Sequence, residues 1–301
     1  VKAVVDNTNA NKINTAANEG VDNARKCLEQ QRGAVAQSLE KLGEEKLQIL
    51  AGTVTSFVSA FEKIKNIDFT SSVGLEELEK LHIDQKDFEE LKELGNFAIQ
   101  VAGGVTAGAA GGALTAIGAY GAAQTFAAAS TGTAIASLSG AAATNATLAF
   151  FGGGSLAAGG LGMAGGMMVL GGLVAGPALL VMGLITGAKS QEKLDQALIN
   201  KAQAEEIMEA LHVASDQCSA IRRRAYLFYS LLAHLDTYLL PLVWQMEDII
   251  AKEGTDYRTY SPESKKVIMA AASNAGSVKA VLDVPILTDD GSLTEQSGEI
   301  V

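Results

Sequence analysis

Apolar side chains recur at steps of three and four over two long stretches of this chain, the spacing of one face of an α-helix. In the first stretch Leu47, Leu50, Val54, Phe57, Phe61 and Ile64 follow one another. Leu28, Val35, Leu39 and Leu42 extend the stripe upstream with one slip. A helix over about 18–66 is predicted, roughly 70 Å long at 1.5 Å per residue. The second stretch is more regular. Ala204, Ile207, Leu211, Ala214, Cys218, Ile221, Ala225, Phe228, Leu232, Leu235, Leu239, Leu242, Met246 and Ile249 alternate steps of three and four without error. A seam of this kind is of coiled-coil type. It predicts a helix from Lys189 to Lys252, on the order of 95 Å. Pro241 falls inside it and is expected to kink it, because proline removes a backbone donor and clashes with the preceding turn.

Shorter elements flank these rods. "GLEELEKLHIDQKDFEELKEL" reads as a short helix followed by a second one capped near Asp84, which continues toward residue 94 and beyond. After Gly254, Ser261 is a candidate N-cap and Pro262 a first helical residue, which predicts a helix to about Leu282. The tail after it carries "DDG", which suits a tight hairpin turn; an acidic disordered tail is the alternative.

Between the rods the charges vanish. No Asp, Glu, Lys or Arg occurs from Leu94 to Ala188, a run of 95 residues that holds 23 of the 32 glycines. That partition lies far from ordinary globular composition. Gly104, Gly108 and Gly112 fall on one helical face, and Gly162/Gly166, Gly172/Gly176 and Gly183/Gly187 repeat the spacing of four. Such faces let another helix backbone approach closely. Each glycine costs a helix in water roughly 0.8–1 kcal/mol relative to alanine, so this many require tight packing or surroundings without water. Within Ser155–Ala188, the residues from Ser155 to Ile185, with Leu156, Leu170, Leu173, Leu179 and Leu180 among them, gain on the order of 3–7 kcal/mol in a bilayer before glycine and proline costs. The stretch Ser155–Ala188 is expected to be the penetrating part. Asn96–Phe126 is marginal alone. Permanent burial of the block in a dry helical interior is the competing expectation.

The net charge of −11 argues against nucleic acid as a partner and opposes adsorption to an anionic membrane except through local basic patches. Arg222, Arg223 and Arg224 are the one dense basic cluster, a candidate contact for lipid headgroups beside the blander expectation of solvated or internally paired arginines. Nearby Tyr226, Tyr229, Tyr238 and Trp244 suit an interfacial belt, though helical spacing favours core packing for them. The two cysteines, Cys27 and Cys218, are expected to be reduced. No basic region followed by an apolar run opens the chain, so no secretory signal reads there, and the missing initial Met leaves export open.

Catalytic signatures are absent from the pattern. The G-x-G-x-x-G at Gly160, Gly162 and Gly165 has no preceding strand and no acid about twenty residues on to hold a ribose, so it reads as chance in a glycine-rich tract. His82, His212 and His234 lack metal-ligand spacing and are at most weak pH-sensing groups. No nucleophile with a base, no metal set and no cofactor site emerges, and no enzyme is expected.

The order of a long amphipathic helix, an uncharged Gly/Ala/Leu segment and a second long helix over 18–252 resembles helical pore-forming toxins of the cytolysin A and haemolysin BL/non-haemolytic enterotoxin type. That resemblance implies a bundle that hides an apolar head and releases it on membranes. The run "ATNATLAFFGGGSLAAGGLGMAGGMMVLGGLVAGPALLV" also looks like glycine-zipper segments of bacterial proteins. The expected fold is all-α, an elongated bundle with antiparallel rods and a central Gly/Ala-rich helical hairpin. Four regions are expected: 1–93 with the first rod, 94–188 as the uncharged block, 189–254 as the heptad helix, and 255–301 as a helix and acidic tail. The expected function is conditional membrane insertion, pore formation or remodelling, with a lipid bilayer and further copies of the chain as partners. The soluble form would be secreted or cytoplasmic. A scaffold that binds helical protein partners and a constitutive bacterial inner-membrane protein are the alternatives.

Overall fold

The computed structural model describes residues 2–68, 85–104, 110–122, 190–288 and 291–300. Among these, helix dominates and no strand occurs. Helix α1 (Lys2–Ile49) passes through a π-helical turn (Leu50–Val54) into α2 (Thr55–Phe61) without a break. Helix α3 is Gln85–Gly104 and α4 is Ala110–Ala119. The long helix α5 is Ser190–Glu253; α6 (Pro262–Asp283) and α7 (Glu295–Ile300) complete the order. The short helix expected before Asp84, and Asp84 itself, lie outside the described residues.

The first rod starts sixteen residues earlier than its large apolar residues suggest, at Lys2 instead of about Asn18. Its buried stripe includes Ala10, Asn14, Ala17, Val21 and Ala24, on the rod that packs along α5. These are small or polar side chains, so the heptad is present but carries little hydrophobicity. The rod ends at Phe61, and Asn66 takes a left-handed conformation with φ 57°, a region asparagine tolerates better than most residues.

The two rods run parallel, which overturns the antiparallel expectation. Asn200 donates to Asn14 at 3.1 Å near the start of both helices. Gly20 faces Met208, Arg222 donates to Gln31 at 3.3 Å, and Lys65 bridges Asp256 in parallel sense beyond the far ends. The return path explains it. Helix α3 travels back along the end of the first rod, with Phe88 5.1 Å from the Phe61 ring, Lys92 2.6 Å from Glu62, and Gly95 against Thr55. The Asn14–Asn200 pair is buried, and Gln196 donates to Asn200 at 3.0 Å. A buried asparagine pair of this kind fixes register and orientation at some cost in stability.

The seam of α5 is inside as its spacing predicts. Ala204, Leu211, Ala214, Cys218, Ile221, Ala225, Phe228, Leu232, Leu239, Met246 and Ile249 are buried, and Ile207, Leu235 and Leu242 are half-buried. The helix runs unbroken through Pro241. Pro241 is exposed, and so is Thr237, whose carbonyl loses its helical donor there and can be met by water. Cys27 is exposed, Cys218 is buried, and both are free.

Helix α6 begins as predicted. The Ser261 hydroxyl accepts from the Ser264 amide at 3.2 Å, and Pro262 occupies the first turn. It returns along α5 and meets α3 through Lys279, which pairs with Asp87 at 3.0 Å, Glu90 at 2.7 Å and Asp283 at 2.7 Å. Beyond it residues 284–288 and 291–300 pack on the bundle, while Asp289 and Asp290 of the expected turn lie outside the described residues. Leu287 and Leu293 form an antiparallel bridge around Gly291, whose φ is 84°, and Arg224 donates to Ser297 at 2.9 Å.

Candidate functional site

Two features of this arrangement stand out, one at the exit of α4 and one on the outer face of α5. Helix α4 crosses α1 at Gly43 and Gly118. A Cβ built on Gly43 would collide with the Leu114 carbonyl and come within 3.1 Å of the Gly118 nitrogen. One built on Gly118 would collide with the Leu39 carbonyl and come within 3.1 Å of the Gly43 nitrogen. Only glycine at both positions permits this approach. Leu114, Ile117, Ala119 and Tyr120 are buried around it.

The end of α4 is then held from three sides. Lys46, fully buried on α1, donates from Nζ to the Tyr120 carbonyl at 2.9 Å and the Gly118 carbonyl at 3.5 Å. These are the terminal carbonyls that a helix leaves without internal donors. Ile286 and Leu287 of the tail both donate to the Ala119 carbonyl, at 2.8 and 3.1 Å. Gly121 lies against the Asp283 carbonyl with no room for a side chain. Burial pushes the Lys46 amine down to about 7, and the Asp283 carboxylate only partly opposes this. One oxygen of Asp283 binds Lys279, and the other is buried without a hydrogen-bond partner.

The outer face of α5 has a different character. From Ala225 to Met246 the only charged residue is Asp236. Asp236 sits near Glu45 of α1, whose carboxyl is raised by burial and by that neighbour. The solvent-facing arc of the helix carries Tyr226, Tyr238 and Trp244, exposed by 68%, 61% and 60%, with exposed Leu227 and Pro241 in the same arc. Tyr226 and Trp244 are five turns apart, so they share one face about 27 Å long. Tyr229 is 38% exposed. The core packing that helical spacing favoured for these aromatics is therefore not what they do. His234, also exposed, stacks on Tyr238 at 6.1 Å. Helix α5 is the one helix among the described residues long and apolar enough to cross a membrane, and 22% of its most apolar window is buried.

The arginine cluster divides its labour. Arg224 is half-buried and holds the tail through Ser297, Arg222 reaches Gln31, and Arg223 is exposed. Among the glycines singled out by spacing, Gly104 is the last residue of α3 and Gly112 lies in the first turn of α4. Gly108, Leu156, Gly162, Gly166, Leu170, Gly172, Leu173, Gly176, Leu179, Leu180, Gly183 and Gly187 lie outside the described residues. The close glycine contact falls instead on Gly43 and Gly118. Neither belongs to a repeat; an isolated glycine inside an amphipathic helix was the available signal. Among the described residues no group of three His, Cys, Asp or Glu is placed to hold a metal ion. His212 and His234 are exposed on α5, and His82 lies outside the described residues.

Comparison with known proteins finds no matching family model, no matching curated protein and no matching solved structure.

Proposed function

We propose that the chain is a helical protein that associates with membranes conditionally and passes its uncharged block, led by Ser155–Ala188, into the bilayer to form a pore or remodel the membrane. The observation that carries this is the outer arc of α5: Tyr226, Tyr238 and Trp244 lie exposed along a 22-residue length of helix whose one charge, Asp236, sits near Glu45 of α1. Trp and Tyr favour the headgroup boundary, where an apolar ring and a polar edge are both satisfied. A helix that lay in this plane would bring the 95-residue uncharged run, which ends at Ala188 just before α5 begins, to the same surface. The resemblance in layout to helical pore-forming toxins points the same way. Oligomerisation through close glycine faces would follow insertion.

A second reading, a scaffold that binds partner helices, is favoured by Leu198, Ile199 and Val213, which are about half exposed where α1 and α5 run as a pair. Liposome flotation with dye release separates the two. Flotation and release under a triggering condition supports insertion; no lipid binding under any condition supports the scaffold. Gly166→Glu should abolish release while leaving the fold of α1 and α5 intact.

A further inference from the structure

We propose that Lys46 is a proton-coupled latch on the exit of α4: undocking α4 from α1 takes up a proton from solvent at the Lys46 amine. The geometry carries this. Lys46 has no exposed surface, and its Nζ is held by the Tyr120 and Gly118 carbonyls at 2.9 and 3.5 Å, just past a crossing where backbone meets backbone at Gly43 and Gly118. The donor belongs to α1 and both acceptors to the end of α4, so separating the two helices lengthens both contacts at once. The chain leaves this point at Gly121 for the remainder of the uncharged run.

The charged surroundings do not supply a full counterion. Helix α4 brings no ionisable group, and Tyr120 at its end offers its backbone carbonyl. Helix α6 brings Asp283, already bonded to Lys279. Helix α3 brings Asp87 and Glu90, both engaged by Lys279. Helix α5 brings Asp236, set near Glu45, the residue preceding the lysine. Docked, the amine titrates at about 7, because burial penalises the ammonium; released into water it returns to about 10.4. Protons therefore bind the open state more tightly. As pH falls from about 10 to 7 the opening constant rises by up to about tenfold per unit, and below 7 it levels off because both states are then protonated. The docked state is firmest in mild alkali and loosest from neutrality downward.

This latch bears on membrane entry only through the function proposed above, and its test contains no lipid, so failure of one is distinguishable from failure of the other. Hydrogen exchange of the α4 amides in the full chain, corrected for intrinsic rates, is measured from pH 7 to 9.5. Protection is expected to rise with pH toward the tenfold-per-unit limit in the native chain and to be flat in Lys46→Met. A flat native profile, or the same slope in Lys46→Met, overturns the proposal. Should Lys46→Met fail to fold, the native Lys46 Nζ titration followed by NMR decides. A midpoint near 7 supports the latch, and one near 10.4 overturns it.

Discussion

Gly43 and Gly118 face each other across α1 and α4 so closely that a Cβ on either would strike the other helix's backbone. Backbone cannot swing aside as a side chain can. Gly43→Ala is expected to destabilise the protein by about 1–3 kcal/mol, the range for overpacking. Gly33→Ala, with nothing within 4 Å of its Cβ, should stabilise by about 0.5–1 kcal/mol through helix propensity alone. Urea unfolding of both variants checks the contrast. The double substitution Gly43→Ala/Gly118→Ala should cost less than the sum of the single changes, because one separation of the helices relieves both collisions.

Parallel rods make a different prediction. Cysteines replacing Asn14 and Asn200, with Cys27→Ser and Cys218→Ala removing the native thiols, should form a disulfide under mild oxidation. Both residues are buried in the seam between the rods and their side chains meet at 3.1 Å. A cysteine at Asn14 paired with one at Leu239, the match an antiparallel arrangement would make, should not cross-link. Gel mobility under non-reducing conditions reads both outcomes.

Lys279 joins α3 to α6 through three carboxylates while only 10% exposed. Burial opposes its charge, yet bonds to Asp283, Glu90 and Asp87 outweigh this and hold its pKa above the ordinary lysine value. Lys279→Met should cost about 1–3 kcal/mol at pH 7, since the carboxylates lose their partner. Glu90 is held below its usual value chiefly by its bond to Lys279. Its contribution is thus fully present above about pH 4.5 and fades as pH falls through its lowered value. The gap between native and Lys279→Met unfolding midpoints should narrow on acidification toward pH 3.

Asp236 is the lone charge in the apolar length of α5, and one of its oxygens is buried without a partner. It also raises the Glu45 carboxyl, after burial, as a like charge does. Asp236→Asn should stabilise the protein at pH 7 by about 0.5–1 kcal/mol, because it removes this repulsion. The gain should shrink as pH is lowered from 7 to 4, because Glu45, raised above its usual value, takes up its proton on the way and the repulsion ends. Thermal unfolding at the two pH values checks it.

Much of the frame was legible in the sequence, and the exceptions have physical causes. The seam of α5 was readable because large apolar residues mark nearly every core position. The start of α6 was readable because Ser261 and Pro262 carry the chemistry of a helix N-terminus. The beginning of α1 was not, since Ala10, Asn14, Ala17 and Ala24 hold their places by fitting a neighbouring helix closely. Rod direction depends on the return path through α3, a long-range property that periodicity does not encode. Tyr226, Tyr238 and Trp244 show the limit most sharply. The spacing of Tyr226 and Trp244 suits one helix side, but which side is covered depends on α1 and α6, and these leave all three aromatics exposed. Lys46 gave no signal because a lysine among Glu44, Glu45 and Leu47 looks like any solvated face.

The protein has one tryptophan, and it stands on the face assigned to the membrane boundary. Trp244 emission, with its quenching by aqueous acrylamide, is therefore the most direct measurement. In buffer it should be red and readily quenched. On addition of phosphatidylcholine or mixed phosphatidylglycerol vesicles across pH 5 to 8, at least one condition should shift it to the blue and shield it, with dye release in parallel. Emission and quenching that stay at their buffer values in every vesicle and at every pH would contradict the account.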